Sequence, residues 1–408
     1  MGIRPAQNPE SIRRHNLGLI LSAIHRDRGI PRHRLAQLTH LTKAAVSTMV
    51  QDLLDIGIVR TIGEGESSPR GGRKPILLEI VPEFAVAVGV DIRRECISAV
   101  LFDLNGQLIA KESRIVRDRD SREGILELVR QCIDEVLRRK PHGAHLLGIG
   151  LGVPGPLDLM RGRVLNPPDF GDFRDIDIVA WIEGKYGTTA FLSLGSAAGA
   201  MGEYCFRRDR GEVFNDIVFI EIDLGIGLGM IVNGRVIHGN ARHAAGEISH
   251  MVIQVDGRPC PCGRRGCLYQ YASGIAVLRE IENDAQETSS HGVQNYGERL
   301  IRVVEATLLG DEKYRRLIRE AAKYLCIAVG SIVNILSPSL LVIGSSIEGM
   351  ASLYLEHMTR WTNGNGDSGE GLCRNLQLSS YGLLSIASGA AHVVLENFFQ
   401  DPKKYIPD

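Results

Sequence analysis

The sequence predicts an α/β protein: a small helix-turn-helix head with a β wing, residues 1–80, followed from Phe84 by a larger body of strands and helices. Three observations lead there. Apolar residues recur at helical spacing as far as Leu54, then give way to two strand-like runs joined by a basic, glycine-rich stretch. Beyond Phe84 come runs of Val, Ile and Ala broken by turn residues and by longer amphipathic segments. Charge divides near the same place: residues 1–75 hold 12 Lys and Arg against 6 Asp and Glu, the remainder 35 against 42. A basic head on an acidic body is the balance expected of a nucleic-acid-reading module joined to a domain with another task.

The 408 residues, 44% hydrophobic and 23% charged, suffice for two or three cores. No apolar run approaches membrane-spanning length, and MGIRPAQNPESIRRHN lacks the apolar centre of a signal peptide, so the expectation is a cytoplasmic protein with no membrane partner. Cys96, Cys132, Cys205, Cys326 and Cys373 are scattered and read as small apolar residues in a reducing compartment.

In the head, Asn16 to Ile24 form a first helix closed by Gly29. Pro31 sits where a first helical residue is tolerated and opens a second helix, Arg32 to Leu38. Thr42 is a natural N-cap for a third, Lys43 to Leu54. Its inward stripe is Ala45, Val46, Met49, Val50, Leu53 and Leu54; Lys43, Ala44, Ser47, Thr48 and Gln51 face outward. Such a small, polar surface fits a major groove, with Gln51 and Ser47 reaching base edges and Lys43 a phosphate or guanine. Ile56 to Ile62 and Ile76 to Ile80 are expected strands, and Arg70, Arg73 and Lys74 between them can follow phosphates or the minor groove.

In the body, Ala85 to Ile92, Ile97 to Asp103 and Leu108 to Ala110 read as three strands, with a turn at Asp103-Leu104-Asn105-Gly106. A helix from Arg122 to Arg139 and a strand from Leu146 to Leu151 follow, then the loop Gly152-Val153-Pro154-Gly155-Pro156. Later come a strand at Ile217 to Ile222, glycines at 225, 227 and 229, a helix from Tyr314 to Leu336, a strand at Leu340 to Ile343 and a closing helix from Ile386 to Phe398.

The densest chemistry lies in Gly246-Glu247-Ile248-Ser249-His250 and, after nine intervening residues, Cys260-Pro261-Cys262-Gly263-Arg264-Arg265-Gly266-Cys267. Thiolates bind a tetrahedral divalent metal strongly, and the Pro and Gly between them make the turns that gather three sulfurs on one side. Zinc held by His250, Cys260, Cys262 and Cys267 is the expected arrangement, with His238 and His243 as rivals for the fourth position.

GEISH followed by CPCGRRGCLYQYAS resembles the signature of the ROK family (repressors, open reading frames, sugar kinases), whose zinc ligands fall on the same four residues. The winged head with its Gly72-Arg73-Lys74-Pro75 element resembles the head of the family's repressors. The resemblance implies a two-lobed, actin-like sugar-kinase body of the ribonuclease H-like type, with lobes at 84–190 and 191–400. It also implies a homodimer or homotetramer that represses transcription, with operator DNA and a sugar-like small-molecule effector as its partners. Glu247, His250, Tyr269 and the loop at Gly155 are the ligand-binding residues it implies.

Departures from the family pattern fall on its kinase residues. Leu194 and Gly195 stand where the family carries Asn and its proton-accepting Asp, and Tyr269 where it carries Glu. Arg93 and Arg94 crowd the first phosphate loop, and Asp223-Leu224 replaces Gly-Thr before the second. A positioned base supplies about a hundredfold to ten-thousandfold in rate. The expectation is therefore a regulator that has lost kinase activity; a sugar kinase with an added DNA-binding head is the alternative.

Overall fold

The computed structural model describes residues 8–66, 74–117, 121–167, 170–239, 245–285, 296–364 and 375–405. In the head, α1 (Pro9–Arg26) begins at Asn8, whose side chain accepts from the Ser11 amide. A short strand, β1 (Ile30–Pro31), precedes α2 (Arg32–Thr39) and α3 (Lys43–Ile56). Pro31 thus belongs to a strand and flanks α2 instead of opening it, because its extended backbone pairs with a wing strand. Thr42 caps α3, accepting from the Ala45 amide at 3.2 Å. The expected strand start at Ile56 is corrected: α3 runs through Ile56 and ends at Gly57, whose φ of 85° closes the helix. The wing strands are β2 (Val59–Glu64) and β3 (Ile76–Ile80), ordered β1-β3-β2.

The first sheet of the body contains β4 (Ala85–Ile92), β5 (Cys96–Asp103) and β6 (Leu108–Ile115), a meander longer at its third strand than alternation suggests. After α4 (Arg122–Leu137), β7 (His145–Val153) pairs parallel with β4. A small hairpin, β8 (Leu157–Asp158) and β9 (Arg163–Val164), leads through α5 (Ile178–Tyr186) to β10 (Ala190–Leu194). The sheet order is β10-β7-β4-β5-β6. The boundary expected at residue 191 therefore falls inside a strand of the first sheet.

From β10 the chain passes directly into α6 (Gly195–Arg208) and a second sheet that starts with β11 (Ile217–Ile222), β12 (Ile226–Val232) and β13 (Arg235–Val236). Helices α7 (Tyr269–Ala272), α8 (Gly274–Ala285), α9 (Tyr296–Leu308) and α10 (Glu312–Leu336) follow. The strand β14 (Leu340–Gly344), the helix α11 (Met350–Gly364) and the strand β15 (Leu376–Leu378) complete this half, with sheet order β13-β12-β11-β14-β15. The last helix, α12 (Ser385–Gln400), returns to pack on β4 and β7 and against α6.

Alternation along β11 explains the layering: Val218, Ile220 and Ile222 join the core under α8 to α10, while Ile217 and Phe219 face α6. Small residues in α12 let it lie almost on the sheet. A Cβ on Gly150 of β7 would stand 1.9 Å from the Ala390 carbonyl oxygen, so only glycine fits there. Over Gly382–Gln400 this segment is long and apolar enough to cross a membrane, contrary to the sequence expectation, but 67% of it is buried inside the protein. Its apolarity serves the core. Leu17, Ile20 and Ile24 of the head share one hydrophobic core with Phe102, Leu147 and Phe398 of the body.

Candidate functional site

A cleft of about 460 Å³ opens where the carboxyl ends of β4, β7, β10 and β11 converge, bordered by Asp91, Val153, Leu194 and Glu221. Such strand ends are where α/β sheets bind ligands, because loops diverge there and leave a crevice. Gly155, Glu247, His250 and Tyr269 all line it, so the four ligand-binding residues expected from the sequence are brought together. Glu247 is exposed, His250 and Tyr269 half-buried.

His250 and Cys262, which line the cleft, are gathered with Cys260 and Cys267 so that the four ligand atoms lie within 4.8 Å of one another. Gly263 and Gly266, both at positive φ, fold the loop so that the Cys262 and Cys267 sulfurs are 3.7 Å apart. The Cys260 sulfur is likewise 3.7 Å from His250 Nδ1. A tetrahedral ion with metal–sulfur bonds of about 2.3 Å needs sulfurs roughly 3.8 Å apart, so the donor set fits a metal ion. Of the rival ligands, His238 is exposed and lies outside this group; His243 falls outside the described residues. His250, Cys262 and Pro261 border metal group and cleft alike.

Opposite, the structure holds a group that the sequence reading missed. The Arg93 guanidinium, buried at the end of β4, donates to Asp91 Oδ2 at 2.6 Å and to Asp223, and forms an ion pair with Glu221 Oε1 at 2.8 Å. Asp223 in turn accepts from Ser345 Oγ at 2.7 Å and the Ser346 amide at 2.9 Å. One cation from the first sheet is thus clasped by carboxylates of the second. Burial pushes Asp91 and Glu221 up from the usual carboxylate range, against the pull of Arg93. The available signal was Glu221-Ile222-Asp223, two acids at the end of an apolar strand, matched by Arg93 after another.

Gly195 begins α6 at the cleft and offers no proton acceptor. In the head, Lys43, Ala44, Thr48 and Gln51 are exposed on α3, and Ser47 is half-buried. Gln51 donates to Asp55 at 2.8 Å, a local partner that base contact would have to displace. Lys74 is exposed; Arg70 and Arg73 lie outside the described residues.

Residues 87–396 match the family model described as ROK. The chain belongs to the ROK family. It is 29% identical over 388 residues to the xylose repressor of Bacillus spizizenii, covering 95% of this chain and 96% of that one. A solved ROK family transcriptional regulator, a homologue of the Escherichia coli Mlc protein, superposes with a TM-score of 0.74 at 20% identity. That match covers 95% of this chain and 98% of the other, head included. The ROK glucokinase of Streptomyces griseus, solved with glucose and AMPPNP, gives 0.61 at 24% identity over 76% of this chain and 99% of its own. These two likenesses are of fold.

Proposed function

We propose that this protein is a repressor whose winged head binds operator DNA and whose cleft binds a sugar-like effector. The observation that carries this reading is α12. Ile386 at its start lines the cleft, and Phe399 near its end stacks on His25 of the head with ring centroids 4.4 Å apart. A ligand that shifts the floor of the cleft therefore has a rigid element through which to move the head. Lys43, Ala44, Ser47, Thr48 and Gln51 are the groove-facing set, with Arg70, Arg73 and Lys74 on phosphate or minor groove. Two heads on a homodimer, or on paired dimers in a tetramer, would read an inverted repeat in cytoplasmic DNA.

The name of the Bacillus spizizenii relative makes a neutral sugar such as xylose the first effector to try. Glu247, Tyr269 and the loop at Gly155 are the residues to contact it, with His250 joining them to the metal site. Zinc is the metal proposed for His250, Cys260, Cys262 and Cys267; when bound it supplies a structural crosslink beside the cleft.

Phosphoryl transfer is not part of the proposal. Gly195 offers no base, and a nucleotide phosphate approaching Arg93 would meet the carboxylates that already hold it. The direct test is operator-binding anisotropy with and without xylose, glucose and N-acetylglucosamine, alongside an ATP-dependent phosphorylation assay on the same sugars. A sugar should change operator affinity and none should be phosphorylated. Turnover above a no-enzyme blank supports a kinase with an added head; DNA binding indifferent to every sugar supports a constitutive binder.

A further inference from the structure

Glu221 is the one carboxylate in β11, whose other residues are apolar and buried. Its Oε1 is anchored by Arg93 at 2.8 Å, and that guanidinium is fixed in turn by Asp91 and Asp223. Its Oε2 has no hydrogen-bond partner among the described residues. The space beside that oxygen is kept open by two residues without side chains. A Cβ on Gly195 would stand 3.5 Å from Oε2, and one on Gly227 would stand 3.2 Å away. Ser196 Oγ borders the same space, 3.2 Å from the Gly227 Cβ position. All of these residues line the cleft.

A carboxylate tied down through one oxygen, with the other facing open space in a cleft, is a preorganised acceptor. It loses little freedom when a hydroxyl binds it. We propose that Glu221 is a ligand-binding residue that accepts a hydroxyl of the effector through Oε2, with Arg93 as its positioning residue. This rests on the effector reading and deepens it to a class: a neutral, polyhydroxylated ligand. A phosphate or carboxylate placed there would meet Glu221 and Asp91 together, and like charges in a partly dry cleft repel strongly.

Calorimetry with xylose, glucose and N-acetylglucosamine tests the proposal on wild type and Glu221→Gln, with metal content and melting temperature confirming the fold. The sugar that binds wild type should lose about tenfold to a hundredfold in affinity to Glu221→Gln. Its monodeoxy analogues add a second measurement. The analogue lacking the contacted hydroxyl should bind wild type as weakly as the parent sugar binds Glu221→Gln, and should lose nothing further in that variant. Arg93→Lys, which keeps a cation within reach of Glu221, should retain more affinity than Arg93→Met. If Glu221→Gln does not fold, Gly195→Ala decides, since its methyl narrows the space at Oε2: weakened binding supports the assignment and unchanged binding overturns it. Equal affinity of wild type and Glu221→Gln also overturns it while leaving the effector reading intact. Failure of all three sugars to bind wild type overturns both.

Discussion

Gly18 of α1 meets the end of α12 so closely that a Cβ on it would stand 2.7 Å from the carbonyl oxygen of Gln400. Beside this contact Arg14 pairs with Asp401, and Ser22 Oγ reaches the Phe399 carbonyl at 3.5 Å. At the other end of the same helix, Ile386 touches the positions that side chains on Gly152 and Gly195 would occupy. At about 1.5 Å per residue, roughly 20 Å separate the two ends.

Gly18→Leu should force α1 off the helix end, because the obstacle is backbone that cannot rotate away. The expected outcome is a protein with normal metal content that still binds operator but responds to the effector at least tenfold less. Operator anisotropy with and without effector checks this. A full response in the variant would remove α12 from the pathway.

His25 makes the same joint sensitive to acid. Burial, with Arg208 nearby, lowers its pKa from 6.5 to about 4, outweighing the opposite pull of Glu396. The folded state therefore holds it neutral. Its contribution is complete above pH 6.5 and is lost as pH falls toward 4, while the unfolded state gains the proton. Between pH 7.5 and 5.5 this costs about 1 kcal/mol. His392, pushed down to about 3 by burial, acts in the same direction. Urea titrations at the two pH values should show a smaller loss for His25→Phe than for wild type.

Cys262→Ser should lower metal content and destabilise the second half of the body more than the head, because the lost sulfur lies 3.7 Å from that of Cys267. Elemental analysis of the purified proteins, with hydrogen exchange to locate the loosening, measures both effects. Full metal occupancy in the variant would exclude Cys262 as a ligand.

Base and phosphate contacts leave different signatures on DNA. Gln51→Ala should weaken operator binding by about 1–3 kcal/mol and scarcely affect random DNA. Arg73→Ala should weaken both and reduce the salt dependence by about one unit of slope if it neutralises a phosphate. Binding isotherms at several salt concentrations separate the two. Asp55→Ala, which frees the Gln51 amide, should raise operator affinity. Equal losses for Gln51→Ala on operator and scrambled duplexes would reassign that residue.

Local signals made much of this protein legible. Thr42 announces α3, and the spacing of Cys260, Cys262 and Cys267 announces the metal group, because each works within a few residues of chain. Resemblance to a known signature, rather than periodicity, supplied the two-lobed body. What stayed hidden depends on distant pairing. The strand at Ile30 exists only because β3 lies beside it, and Arg93 is intelligible only once Glu221 and Asp223 are brought across the cleft. Gly195 read as a loss in the sequence; in space, it adjoins a carboxylate from another strand.

The core shared by Leu17, Ile20 and Ile24 with Phe102, Leu147 and Phe398 bears on how such proteins can be rebuilt. A cut after residue 80 would strip apolar side chains of their partners on both sides, so the fragment of residues 1–80 should aggregate sooner than read DNA. A chimera that exchanges operator specificity must transplant α12 along with the head, or change only the outward residues of α3. The head is less a cassette than a graft that has grown into its stock.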